Sequence, residues 1–125
     1  MKYYIIQEIG FEYNDEIYNA SYGDNGTPVK VFKNKKDAQN QVELLNFKKF
    51  QDESLHHYAY SLDDIIDDIE EFVDELNKIT GKKLTVGEIE DDYDFTLPKM
   101  SQEDFEKIKK YIHLNFYQVV ECDGE

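Results

Sequence analysis

"FYQVVEC", Phe116 to Cys122, is a short apolar and aromatic run near the end of the chain. Its β-branched and aromatic residues suit a pleated, half-buried surface. It is also too short for a helix of ordinary length, so it reads as a strand. Where this strand goes decides the fold, and only the N-terminal third offers it a sheet. In "KYYIIQEIGFEY" (Lys2 to Tyr13), Tyr3, Ile5, Ile9, Phe11 and Tyr13 fall on one face of a strand, with Tyr4, Ile6, Glu8 and Glu12 on the other. "NDE" (Asn14 to Glu16) is turn chemistry, and "EIYNASY" resumes an extended pattern. "GDNG" (Gly23 to Gly26) marks a second turn, and "TPVKVFK" follows as a third strand with Pro28 near its start, where a missing donor is tolerated. These make a three-stranded antiparallel meander. Burying the final strand beside it is the economical solution.

Helical spacing fills the interval between. In "NKKDAQNQVELLN", Asn34 is the expected N-cap with Asp37 three residues on, and Ala38, Gln41, Val42 and Leu45 share a face. The aromatics from Phe47 to Gln51 leave that stripe, so the helix is expected to fray there. "SLDDIIDDIEEFVDEL" (Ser61 to Leu76) predicts a second helix. At about 100° per residue, Leu62, Ile65, Ile66, Ile69, Phe72, Val73 and Leu76 fill one arc. Its eight carboxylates fill the opposite side, Ser61 with Asp64 forms a capping box, and Gly81 follows the end. "GKKLTVGEIEDDYDFTLPK" is punctuated by Gly81, Gly87 and Pro98 as loop, with room for one extended piece or helical turn within residues 82–98. Ser101 with Asp104 caps a third helix whose inner stripe is Phe105, Ile108 and Ile112. The expected fold is α+β in the order β-β-β-α-α-α-β: an antiparallel sheet of about four strands with three helices packed on one face. With 125 residues and no linker or repeat, residues 1–125 form a single domain.

The charge is −14 and uneven. Residues 1–50 carry seven acids and seven lysines, so the whole excess sits in residues 51–125. Between Phe50 and Asn77 there are ten acids and no lysine, and the chain has no arginine at all. Such a surface repels phosphates and anionic head groups, which argues against direct nucleic-acid or membrane binding. It permits a positively charged protein partner and would speed the encounter. No run approaches the ~20 apolar residues of a membrane span, and the N-terminus lacks the pattern of a signal peptide. With a single cysteine, Cys122, a reducing cytoplasm is the simplest address.

The second helix is chemically odd. Acids stand at i, i+3 and i+4 throughout, where lysines would each add ~0.2–0.5 kcal/mol. Eight carboxylates over 13 residues of helix place about one charge per 2.4 Å, against one per 1.7 Å of B-DNA axis. Two readings stay open: a solvated face that keeps the protein soluble, or a docking surface that occupies a basic, nucleic-acid-type site. The second assigns partner contact to Asp64, Asp67, Asp68, Glu71, Asp74 and Glu75.

Other constellations carry less. "EIEDDYD" (Glu88 to Asp94) starts like a calcium loop at Asp92 and Asp94, but Leu97 occupies the place of the required Gly. His56 and His57 are adjacent, and His113 is alone, so none forms the i, i+4 pair of a zinc helix. Glu121 and Asp123 flank Cys122 and work against a reactive thiolate. No nucleophile elbow, Walker loop or dinucleotide glycine pattern is present. No catalytic residue, metal ligand or cofactor is indicated. Ten tyrosines, five of them (Tyr3, Tyr13, Tyr18, Tyr22 and Tyr117) in sheet segments, fit half-buried cross-strand packing or an interface on a Tyr-rich sheet face, which would serve a homodimer or a target protein equally well. The sequence leads to a non-enzymatic, cytoplasmic interaction module, of inhibitor or immunity type in size and charge, presenting an acidic helix to a basic partner. The alternative is a small ligand-binding or enzymatic domain with a pocket at the sheet–helix junction.

Overall fold

The computed structural model describes residues 1–13, 18–21 and 27–123. Within them the chain forms β1 (Lys2–Glu8), β2 (Gly10–Tyr13), β3 (Tyr18–Ser21), β4 (Thr27–Phe32), α1 (Lys35–Phe50), α2 (Ile69–Thr80), α3 (Val86–Asp91), α4 (Gln102–Lys109) and β5 (Tyr117–Asp123). Single 3-10 turns lie at Leu55–His57 and Leu62–Asp64. The turns expected at Asn14–Glu16 and Gly23–Gly26 lie outside the described residues.

The final strand goes where its composition sends it. β5 pairs antiparallel with β1 along its whole length, from Lys2 opposite Asp123 to Glu8 opposite Tyr117. β4 pairs antiparallel on the other side of β1, giving the order β4-β1-β5. A bulge between Ile6 and Gln7 lets Pro28, which has no N–H to give, sit opposite Gln7 on this edge strand. The meander is looser than the alternation of residues 2–13 implies. At Ile9 the chain leaves the sheet, its N–H held by the Phe116 carbonyl at 2.8 Å, and β2 pairs with β3 as a separate two-stranded sheet. Ile9 is buried, so the alternation of the sequence hides a corner. The α+β class, with the last strand beside the first, is the observed architecture.

Residues directly opposite one another share a face. Tyr4, Ile6 and Glu8 therefore lie with Glu121, Val119 and Tyr117, and Ile6 is wholly buried against α1. Tyr3, Ile5 and Gln7 lie with Cys122, Val120 and Gln118 on the other face, where Val31 pairs with Ile5 and is 56% exposed. The tyrosines of β1 and β5 are thus split between faces: Tyr3 is on the open one, Tyr4 and Tyr117 on the α1 side. The open face mixes Ile5, Val31 and Val120 with Tyr3, Gln7, Gln118 and Cys122.

α1 starts as expected, with the Asn34 side chain accepting from the backbone of Lys36 at 2.9 Å and Asp37 at 3.3 Å. It does not fray at Phe47. Its inward stripe runs at fourfold spacing through Ala38, Val42, Asn46 and Phe50, and the polar member of that stripe conceals its continuation. Ala38 and Phe50 are wholly buried and Asn46 nearly so. α4 packs on α1, α2 on α4, and α3 on α2. The main core lies among these helices and the segments joining them. Phe50, Phe72, Phe105 and Phe116 are its largest buried side chains, with Phe50 meeting Phe116 edge-on at 4.8 Å between centroids. Each such ring contributes roughly 1.5–3 kcal/mol relative to exposure.

One expected element is corrected. Ser61 to Leu76 is not a continuous helix: a 3-10 turn at Leu62–Asp64 is followed by a turn at Ile65, a single bridge residue at Ile66 and bends at Asp67 and Asp68, and α2 begins only at Ile69. Ile66 forms an isolated antiparallel bridge with Ile112, in which the Asp67 N–H donates to the Tyr111 carbonyl at 2.8 Å and the His113 N–H to the Ile65 carbonyl at 2.7 Å. A continuous helix would have stacked Asp63 on Asp67 and Asp64 on Asp67 and Asp68, at ~0.2–0.5 kcal/mol per pair. Aspartate is also a weak helix former, since its side chain competes for nearby backbone. Asp68 pays for the re-entry into helix with a left-handed backbone, φ 46°. Yet the inside–outside division survives the break, because Leu62, Ile65, Ile66, Phe72, Val73 and Leu76 are all buried.

Candidate functional site

The acidic side of Ser61 to Leu76 is at the surface: Asp63, Asp64, Asp67, Asp68, Glu70, Glu71 and Asp74 are exposed and Glu75 is half-buried. Several of these carboxylates also hold local structure. Asp64 accepts from the Ser61 N–H at 3.3 Å and closes the capping box expected from the sequence. Asp68 caps α2 by accepting from the Glu71 N–H at 3.4 Å. Asp67 pairs closely with His113 Nε2, and Glu75 lies 3.8 Å from Lys78 Nζ. The charges of Glu71, Glu75 and Asp68 act on the hydroxyl of Tyr111, whose ring is buried. Burial first, then the bond to Glu71 and these charges, push that phenol above its ordinary range. Asp63, Glu70 and Asp74 have no ion-pair partner among the described residues.

The break changes the charge spacing. Even at full extension beyond the 3-10 turn, the five steps from Asp63 to Asp68 would span no more than ~13 Å, and seven helical steps to Glu75 add ~10 Å. Eight carboxylates then stand at most about 3 Å apart along the path, against ~1.7 Å for a duplex backbone. The structure adds a second acidic segment that the sequence left separate. α3 packs on α2, and Glu90 Oε2 accepts from the Leu62 N–H at 3.4 Å. Glu88, Asp91, Asp92 and Asp94 are exposed beside it, with Tyr93 75% exposed among them. Only the helix-on-helix packing reveals that the two acidic segments are neighbours.

The histidines serve structure. His56 is buried; its Nε2 donates to the Ile89 carbonyl at 2.8 Å, its ring meets Tyr93 edge-on at 5.5 Å, and its Nδ1 has no hydrogen-bond partner. Among the described residues no three His, Cys, Asp or Glu side chains converge to hold a metal ion. Cys122 is a half-buried free thiol on the open sheet face.

Two cavities among the described residues bear on ligand binding. One, of about 300 Å³, lies where the sheet meets the last turn of α1 and is lined by Glu8, Gly10, Phe11, Lys49, Tyr58 and Phe116. Glu53 links two of these lining residues, 3.2 Å from Lys49 Nζ and accepting from the Tyr58 hydroxyl at 3.3 Å. Partial burial pulls the Lys49 ammonium down, but the bond to Glu53 and the charges of Glu53, Tyr117 and Glu8 outweigh it and hold it above its ordinary value. The second, about 250 Å³, lies between α1, α4 and the start of β5. Asn46 closes its inner end by holding β5: its Oδ1 accepts from the N–H groups of Phe116 at 2.8 Å and Tyr117 at 3.0 Å, and its Nδ2 donates to the Tyr117 carbonyl at 3.2 Å.

Comparison with protein-family models, curated proteins and solved structures finds no match to this chain. Among the described residues, no helix is long and apolar enough to cross a membrane.

Proposed function

We propose that the protein is a non-enzymatic interaction module of a reducing compartment, whose acidic surface docks on a basic protein surface of the kind that holds nucleic acid. The observation that carries this reading is a framed acidic surface: exposed carboxylates from Asp63 to Asp74, held by caps and a bridge and joined by those of residues 88–94, with no lysine between Phe50 and Asn77. A face evolved only for solubility has no need of this concentration, since interspersed signs serve as well. The same charge of −14 opposes direct contact with nucleic acid or an anionic membrane.

The test is affinity capture of partners from a native extract at low and high salt. The bait is the wild type or the isosteric variant carrying Asp64→Asn, Asp67→Asn, Asp68→Asn, Glu71→Gln and Glu75→Gln. A basic partner held at low salt, released at high salt and absent from the variant supports docking. Equal recovery by both proteins removes it. A second reading rests on the cavity of about 300 Å³ at the sheet–helix junction, where Lys49 and Tyr58 converge on Glu53. A small-molecule site there predicts ligand-induced stabilisation that Lys49→Met and Tyr58→Phe abolish. Self-association would use the open sheet face, where Val29 and Val31 are 50% and 56% exposed. Sedimentation of wild type against Val31→Lys tests it.

A further inference from the structure

We propose that the cavity between α1, α4 and β5 binds an organic cation, a primary ammonium or guanidinium on a short hydrocarbon stem. The ion would sit between Glu43 and Glu106 and the stem on Phe105. The site is distinct from the acidic surface, since no residue between 61 and 94 lines it. Glu43 comes from α1 and Glu106 from α4, so two helices bring like charges to one opening. Burial and then the charge of Glu43 hold the Glu106 carboxyl above its usual range, against Lys109 and a hydrogen bond with Gln102. Lys109 also lines the cavity, where it and Glu106 attract each other. Its Nζ donates to the Ile112 carbonyl at 3.3 Å and stands 5.8 Å from the centre of the Phe50 ring. One partly buried ammonium, itself pulled below its ordinary value by that burial, leaves two carboxylates with a net negative charge.

The chemistry of the lining selects among ligands. An anion meets two carboxylates. A metal ion finds only two donors of suitable type, and no group of three exists among the described residues. A cation with an apolar stem satisfies both walls, with Phe105 beneath and the polar groups of Asn115 and Tyr117 at the rim. At about 250 Å³ the space suits a side-chain-sized group. Such a group has two sources: a free amine, or a Lys or Arg of an extended peptide. Among the described residues β5 pairs with β1 alone, but Asn46 holds the N–H and carbonyl of Tyr117, so a peptide seated in the cavity would meet a free β5 edge only from Val119 onward.

The test is an NMR titration of the ¹⁵N-labelled protein with n-butylammonium and n-butylguanidinium, with butyrate and n-butanol as controls. The expected result is saturable shifts of Phe105, Glu106, Asn115 and Tyr117 with the cations alone. The Glu43→Gln, Glu106→Gln variant, isosteric at exposed positions, should bind at least tenfold more weakly. An Asp67→Asn, Asp68→Asn, Glu71→Gln variant should bind within twofold of wild type. A third arm uses a blocked Val-Lys-Val tripeptide. At least tenfold tighter binding, with slowed amide exchange along residues 119–123, assigns the cation to a peptide side chain; affinity equal to butylammonium assigns it to a free amine. Unsaturable shifts, equal binding by the Glu43→Gln, Glu106→Gln variant, or loss of binding in the α2 variant overturns the proposal.

Discussion

Replacing Asn46 with alanine should cost about 3 kcal/mol of stability, far more than a polar helix residue ordinarily carries. Three hydrogen bonds converge on this one side chain, to the N–H groups of Phe116 and Tyr117 and the carbonyl of Tyr117. Phe116 is 2% exposed, so its N–H would be stranded in the core at a cost of ~1–3 kcal/mol. Tyr117 is half-buried and borders the cavity of about 250 Å³, so water can reach its two groups; each of those losses is discounted to ~0.5–1 kcal/mol. The sum is about 3 kcal/mol, which for a domain of this length lowers Tm by about 10 °C. Asn46→Asp keeps both acceptor bonds but loses the donor and sets a carboxylate against a carbonyl, so its loss should be intermediate. Urea denaturation measures the stability, and amide exchange at Phe116 locates the effect. If Asn46→Ala lies within ~0.5 kcal/mol of wild type, the clamp is not what holds β5 and the reasoning fails.

Asp68 combines a helix cap with a left-handed backbone, so two substitutions should move stability in opposite directions. Asp68→Gly relieves the strain and sacrifices only a few tenths of cap energy, for a net gain of up to ~1 kcal/mol; Asp68→Ala loses the cap and keeps the strain, for a loss of ~1–2 kcal/mol. Thermal melts of the pair decide it, and a parallel shift of both contradicts the assigned conformation. Because the folded protein holds the Glu106 proton more tightly than the unfolded chain does, that group stabilises below the unfolded pKa. The contribution is lost as pH rises through the raised folded value. Glu106→Gln should therefore flatten the fall in stability as pH rises above the ordinary glutamate range of about 4, measured by denaturant titration. Salt should raise Tm by screening the −14 charge, and less so in the variant neutralised at five carboxylates; a salt-independent Tm removes self-repulsion as a factor.

The sequence discloses features that depend on local pattern and hides those that depend on distant partners. Phe116 to Cys122 reads as a strand from its own composition, and only one region could receive it. The capping residues Asn34, Ser61 and Ser101 are legible because each bonds to backbone two or three residues away. The division of Ser61 to Leu76 into buried and exposed halves is legible too. Its break at Ile66 is not, because the bridge needs Ile112, and nothing within the segment announces that partner. Asn46 looks like a gap in an apolar stripe until β5 is docked on it. The acidic segments remain two features in the sequence and become one surface only when α3 packs against α2. The paired charges of Glu43 and Glu106 meet only through the packing of α1 on α4.

The central position of β1 also constrains how the protein is made. β1 is flanked by β4 and by β5, which lies more than a hundred residues later in the chain, so the sheet waits for residues 117–123 to emerge. Until then β1 offers β4 one edge and leaves the other unpaired, and the aromatic core lacks Phe116. Synthesis halted after α4 yields no smaller working version. It leaves an adhesive edge beside an open core, the kind of nascent chain that chaperones retain and proteases remove.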